Sequence, residues 1–317
     1  MTSKTKVVAD APASSANLGP GFDVFALALD APRDMVAASF RPLARFSLKV
    51  EVEGDVRITS DPRRNSAGAV ALSMAREYGL AGDLRLNVWK KVPTGVGLGG
   101  SGASSAAAAA AVDSLFGLRL GMGDLIRHAG AGEKAASGTP HLDNVTASLF
   151  GGFVIVPGGE RSKPLKFDPP AGLSLAIATP EVALPARKTA YARSLLPKSV
   201  GLNGITHNIL NASLMVAGFA SGNIGWIGEG MHDAIVEVAR KEMVPGYDRV
   251  REAALDSGAS GVCISGAGPS VLAMVDGRRA SAKRILASMV EGFGAEGVAA
   301  SGFTTKPGRG AKVLEDS

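Results

Sequence analysis

Apolar and polar positions along the chain fall into short runs whose period changes several times. Residues 5–10, 24–29, 46–52 and 84–92 carry β-type runs, the last alternating through Leu84, Leu86 and Val88. Between them, 67–78 has helical spacing and stops before Gly79. The stretch 102–116 predicts a helix made almost wholly of Ala and Ser until Val112, Leu115 and Phe116, and side chains this small let other backbone come close. Helices are predicted at 125–136 and 145–149, and a strand at 152–156. Proline and glycine then accumulate through 157–172, as expected of a domain boundary. Beyond it, the pattern predicts a strand at 173–178 and helices near 188–195, 205–221, 230–241 and 246–256. Strands at 261–265 and 271–275 flank a glycine loop; a helix at 281–291 precedes a final strand pair near 297–303 and 311–314. This order suggests two α+β domains, 1–160 and 161–317, and not a regular βα repeat.

Composition narrows the function. The chain's 317 residues suffice for two domains of ordinary size. Its net charge of +5 comes from dispersed Lys and Arg, with no basic block interleaved with aromatics, so anionic small ligands are expected and nucleic acid is not. One cysteine, Cys263, excludes an intramolecular disulfide and favours a reducing compartment. The first residues lack the apolar core of a signal peptide, and no run approaches the roughly 20 apolar residues that span a bilayer. A cytoplasmic protein without membrane contact is expected. Histidines 128, 141, 207 and 232 show no metal-ligand spacing, which with one cysteine argues against zinc; His207 reads as structural.

The 41 glycines cluster in loops, and one cluster carries chemistry. The segment VPTGVGLGGSGASSAAAAAAV (92–112) reads as strand end, glycine loop and helix, an arrangement whose free N–H groups and helix dipole suit a nucleotide phosphate. No Gly-Lys-Ser/Thr follows, so it is not a P-loop. Gly95, Gly97 and Gly100 match G-x-G-x-x-G, but no acidic residue ends a second strand about 20 residues on, as a dinucleotide site requires. Other segments are ambiguous by themselves. Glu133 could be a solvated helical residue, Asp143 or Asn144 a helix cap, Arg193 and Arg240 surface arginines, and SGAGPS (265–270) a plain turn.

Taken together they are less ambiguous. PASSANLGPGFD (12–23), VPTGVGLGGSGASSAA (92–107), GTPHLDN (138–144) and ISGAGPS (264–270) occur in the order and spacing of the GHMP small-molecule kinases. The chain resembles that family over nearly its whole length, and the first and third segments most closely resemble the branch acting on homoserine. The resemblance implies a two-domain α+β GHMP kinase fold, with an N-terminal domain like domain 2 of ribosomal protein S5 and a ferredoxin-like C-terminal domain. It also implies ATP- and magnesium-dependent phosphorylation of L-homoserine on the route to threonine, at a site between the domains, and is compatible with a homodimer.

By the same resemblance, ATP is bound by Pro93, Gly95, Gly97, Leu98, Gly99, Gly100, Ser101, Gly102, Ala103 and Ser104, and magnesium by Ser101 and Glu133. The family usually reads Gly-Leu-Gly-Ser-Ser here; this chain has Gly99, Gly100 and Ser101, so only the second serine is kept. His141, Asp143 and Asn144 are assigned to the active site. Several related kinases use an Asp as base, but the homoserine branch carries the Asn seen here as Asn144, so Asn144 positions the hydroxyl and Ser101, Glu133 and Asn144 form the catalytic set. Asn17 and Asp23 are assigned to the substrate ammonium, and Thr189, Arg193 and Arg240 to its carboxylate, with Gly268 in the loop that closes on the site. Bidentate guanidinium contacts suit a carboxylate. The alternatives are a GHMP kinase for another small alcohol, such as mevalonate or shikimate, and a catalytically silent binding protein; intact Ser101, Glu133 and Asn144 oppose the second.

Overall fold

The computed structural model describes residues 4–157, 163–183, 185 and 188–316. The expected boundary at 160/161 lies outside the described residues. The chain opens with two long antiparallel strands, β1 (Lys6–Asn17) and β2 (Gly21–Arg41), joined at Leu18–Pro20. The expected strand at 24–29 is thus only the start of β2. Asp30, Pro32, Arg33 and Asp34 break the apolar pattern, yet the chain stays extended: β1 shifts register between Pro12 and Ser14 to absorb the irregularity. Then follow β3 (Ser47–Glu53), α1 (Ser66–Tyr78), β4 (Asp83–Trp89), α2 (Gly100–Phe116), α3 (Met122–Ser137), α4 (Leu142–Phe150), β5 (Phe153–Ile155) and β6 (Leu165–Phe167). Asn65 caps α1 by accepting the Gly68 N–H, and Gly79 ends it in the left-handed region.

The second half comprises β7 (Leu173–Pro180), α5 (Lys188–Ser194), α6 (Leu202–Ser221), α7 (Ile224–Glu229), α8 (Val236–Arg240), α9 (Tyr247–Asp256), β8 (Gly261–Ile264), β9 (Val271–Asp276), α10 (Ala282–Ala295), β10 (Ala300–Thr305) and β11 (Lys312–Asp316). The single helix expected over 230–241 does not form. The Asp233 carboxylate accepts the N–H groups of Ile235, Val236 and Glu237 at 2.7–3.1 Å, which starts a new helix instead of continuing one.

The final strands do not pair with each other as expected. β10 joins β7 in a four-stranded antiparallel sheet ordered β10-β7-β9-β8, whose connections trace the ferredoxin-like βαββαβ path. β11 returns to β1 in the seven-stranded sheet β11-β1-β2-β4-β3, which β5 and β6 extend. That sheet therefore draws strands from both ends of the chain. Its core runs along α2, where Ala106, Ala107, Ala108, Ala109 and Ala111 are all fully buried, so the helix is enclosed between the sheet and α1 and α3. A second cluster crosses between the halves: Phe153 stacks on Phe219 with centroids 4.0 Å apart, amid Leu18, Leu98, Met215 and Leu272. No helix among the described residues is long and apolar enough to cross a membrane.

Within the second half, Glu237 ties α8 to the sheet. Its carboxylate accepts the Tyr247 hydroxyl at 2.5 Å and the Ile264 N–H at 2.8 Å, while burial pushes it up to about 7. The folded state thus holds this proton more tightly than the unfolded chain does. The stability it contributes is full below the ordinary value of 4.5 and is lost as pH rises through about 7. Urea unfolding should show wild-type stability falling by up to about 3 kcal/mol between pH 5 and 8, a slope that Glu237→Gln removes. Equal slopes in the two proteins would contradict the assignment.

Candidate active site

The phosphate loop begins where β4 ends and closes on α2. Gly99 caps the helix with φ 63° and no side-chain hydrogen bond, so no capping side chain covers the first N–H groups. Two glycines are required by close approach. A Cβ on Gly97, φ 89°, would lie inside the Ser265 carbonyl and 2.8 Å from the Gly268 carbonyl oxygen; one on Gly99 would lie against Ser14 Oγ and 2.7 Å from Asn144 Oδ1. The loop is pinned from below by an ion pair that sequence reasoning missed. Lys90 Nζ pairs with the fully buried Asp34 and donates to Gly100 O at 2.8 Å and Ser104 Oγ at 2.9 Å. Asp34 also accepts the N–H groups of Lys91 and Val92, both at 2.9 Å. The Ser104 hydroxyl, expected at the nucleotide, donates to Asp34 at 2.7 Å. Pro93, Thr94 and Val96 border a cavity of about 620 Å³ that Arg57, Lys91, Thr179 and Pro269 also line.

Beside the loop stand the acidic groups. Glu133, on α3, is 4% exposed; its Oε1 accepts a hydrogen bond from His141 Nδ1 at 2.9 Å, whereas Oε2 is buried with no hydrogen-bond partner among the described residues. Burial alone would lower the His141 pKa, but the Glu133 hydrogen bond and charge, with Asp143 and Asp23 nearby, outweigh it and hold the imidazole above its ordinary value. Asp143 is buried at the start of α4 and accepts the Asn144 N–H at 2.8 Å; burial pushes its carboxyl up to about 6 despite that bond and His141. Asn144 Oδ1 accepts the Ser14 hydroxyl at 2.9 Å. Ser14 was not expected at the site, and it ties Asn144 to β1.

The third group lies where the turn after β1 meets the second half. Asn17, φ 69°, accepts the Asp23 N–H at 3.1 Å through Oδ1 and donates to Gly266 O at 2.8 Å through Nδ2, so its amide holds loop to loop. The Asp23 carboxylate accepts Arg193 Nη2 at 2.9 and 3.1 Å. Arg240 is 4% exposed and donates Nε to Ala192 O at 3.2 Å; burial lowers its pKa and Asp23 opposes that. Both guanidiniums lie over the Phe22 ring, Arg193 at 5.4 Å and Arg240 at 5.1 Å from its centre, a role for Phe22 that no sequence motif signalled. Gly268 faces Gly97, and Lys188, unexpected here, donates to the Gly268 carbonyl one residue before Thr189. Ser101 sits half-buried in the first turn of α2, and α3, which carries Glu133, packs on that helix with Gly132 against Ser105. The structure thus gathers the expected segments into one cleft.

A glycine loop at a helix start, opposite an unpartnered buried carboxylate and a paired set of charges, is the arrangement of a small-molecule kinase. The chain belongs to the GHMP kinases: residues 65–152 match the GHMP kinases N terminal domain and residues 215–294 the GHMP kinases C terminal domain. Within that family it is similar to proteins named homoserine kinase. That of Thermoplasma volcanium is 41% identical over 286 residues, 89% of each chain, and that of Halobacterium salinarum 38% identical over 308 residues, 97% of this chain and 96% of the other. The crystal structure of homoserine kinase from Cytophaga hutchinsonii superposes with a TM-score of 0.90 at 33% identity, covering 99% of each chain. The L. major mevalonate kinase shares the fold at a TM-score of 0.66 and 15% identity.

Removing one partner of the buried Asp34–Lys90 pair strands a charge beneath the loop. Asp34→Ala should cost about 3–5 kcal/mol in urea unfolding, and adding Lys90→Met should recover part of it. A loss under about 1 kcal/mol for the single variant would mean the pair does not anchor the loop.

Proposed function

We propose that this chain transfers the γ-phosphoryl group of ATP to the side-chain hydroxyl of L-homoserine, giving O-phospho-L-homoserine and ADP. The observation that carries the reading is that opposite charges, Asp23 against Arg193 and Arg240, gather around Phe22 in the same cleft as Asn144 and the phosphate loop. An amino acid carries both of the charges this end offers to match. Its ammonium takes the place of Arg193 on Asp23, and its carboxylate takes the guanidiniums of Arg193 and Arg240. The alcohol then extends toward Asn144.

The triphosphate rests on the N–H groups at the start of α2, with the nucleoside in the adjacent cavity. Glu133 Oε2, buried and unpartnered, and the Ser101 hydroxyl are hard oxygen donors that fit magnesium, and a magnesium ion held there would offset phosphate charge. Asn144, oriented through its Oδ1 by Ser14, aligns the hydroxyl. Asp143 Oδ1 accepts the Asn144 N–H, and this reading gives Asp143 no role as a base. A loose phosphoryl transition state requires little early deprotonation: the new O–P bond forms as the bond to the β,γ-bridging oxygen breaks, and the hydroxyl proton passes late to a phosphoryl oxygen. ADP leaves.

Selectivity should therefore depend on Asp23. Removing the substrate amino group, as in 4-hydroxybutyrate, leaves that carboxylate without its cation, which costs about 1–3 kcal/mol. In an ADP-release assay, kcat/KM for homoserine should exceed that for 4-hydroxybutyrate by at least about tenfold, and Asp23→Asn should shrink the ratio to within about threefold. Equal efficiency on both substrates in the wild type would overturn the reading.

A further inference from the structure

Among the described residues, Lys188 is a cation paired with no anion. It opens α5 half-buried, and its Nζ donates to the carbonyl of Gly268. The charged group acting on it is Arg240, another cation from α8; burial and that repulsion bring its ammonium down to about 8. No carboxylate among the described residues is paired with it. A desolvated ammonium beside a guanidinium is costly unless an anion completes it.

The surroundings indicate which anion. The Gly268 oxygen that Lys188 holds is 2.8 Å from the position of a Cβ on Gly97, so the ammonium is one carbonyl away from the phosphate loop. Pro269, the next residue, lines the cavity beside that loop. The two arginines are engaged elsewhere, at the Gly266 end and around Phe22. Lys90, the lysine beneath the loop, is committed to Asp34. The loop itself carries no lysine between Pro93 and Ser104.

We propose that Lys188 is a catalytic residue whose ammonium contacts a γ-phosphoryl oxygen of the nucleotide from the Gly268 side and offsets charge there during transfer. This rests on the kinase reading given above. The equatorial oxygens carry the charge in a loose transition state, so a cation there acts on kcat. Arginine at this position keeps the charge; methionine keeps the length and removes it.

The test compares wild type, Lys188→Met and Lys188→Arg. Turnover is followed by ADP release, and the dissociation constants of homoserine, ADP and the non-hydrolysable triphosphate AMP-PNP by calorimetry. Lys188→Met should lower kcat by roughly 100-fold, the scale of one lost transition-state donor. It should weaken AMP-PNP at least about tenfold more than ADP, because ADP lacks the contacted group, and leave homoserine affinity within about twofold. Lys188→Arg should recover at least about tenfold of the lost kcat. Wild-type kcat/KM for ATP should fall as pH rises through about 8, a limb that Lys188→Arg lacks. The proposal is overturned if Lys188→Met keeps kcat within about threefold, or if the variant loses homoserine rather than AMP-PNP, which would assign Lys188 to the substrate carboxylate. A Lys188→Met protein too unstable to assay leaves the pH limb and the Lys188→Arg comparison to decide. If wild type fails to turn over homoserine while Lys188→Met still loses AMP-PNP selectively, the homoserine reading falls and the Lys188 assignment stands.

Discussion

Two glycine loops and the end of β1, from distant parts of the chain, approach so closely that side chains are excluded between the loops, and the cleft depends on that approach. Gly97 lies against the Ser265 carbonyl with no room for a Cβ. Around this contact the backbones are stitched together: Ser14 N–H donates to Leu98 O at 3.1 Å, Gly266 N–H to Ala16 O at 3.1 Å, and Ser270 N–H to Val96 O at 3.2 Å. Ser265 Oγ adds bonds to Gly97 O and Ser15 Oγ, both at 2.8 Å. The cleft floor is therefore backbone, positioned by its own hydrogen bonds. Groups on that floor can be held to the tolerances that phosphoryl transfer needs.

Charge is divided into two kinds on this frame. Asp34 and Lys90 satisfy each other in the interior and set the height of the phosphate loop. Glu133 Oε2, the Asp23–Arg193 pair, Arg240 and Lys188 are incompletely satisfied or satisfied only provisionally. Asp23 and Arg193 are each about two-fifths exposed, so the bond between them is weak enough for a zwitterion to replace. The first kind stabilises the fold; the second is the set to which the proposed function assigns ligands.

Features that one local segment determines were legible in sequence. The glycine loop between strand end and helix start reads as an anion site from its own residues, whereas the Glu133 helix and the HLDN segment, ambiguous alone, are placed at the site only by the resemblance to the GHMP kinases. The alternation of periods locates most strands and helices of the second half but misses α7 and the break before α8, where Asp233 overrides helical spacing; the ferredoxin-like connection comes from the resemblance. What could not be read depends on contacts across the chain. Phe22 acquires its role from arginines about 170 and more residues later, and Ser14 from Asn144, 130 residues on. Asp34 carries no local signal, because its buried partner Lys90 lies 56 residues away, just past the end of the strand that β2 pairs with. The return of β11 to β1 is likewise a long-range pairing with no local signal.

The central claim is that one cleft orders an amino acid and a nucleotide end to end, with the Asp23–Arg193 pair opened by the amino acid. A crystal structure with L-homoserine, AMP-PNP and magnesium tests it most directly. The predicted result has the homoserine ammonium on Asp23, its carboxylate on Arg193 and Arg240, and its hydroxyl within about 3.2 Å of the Asn144 amide and facing the γ-phosphorus. An intact Asp23–Arg193 pair with homoserine bound, or a hydroxyl directed away from the nucleotide, would contradict it.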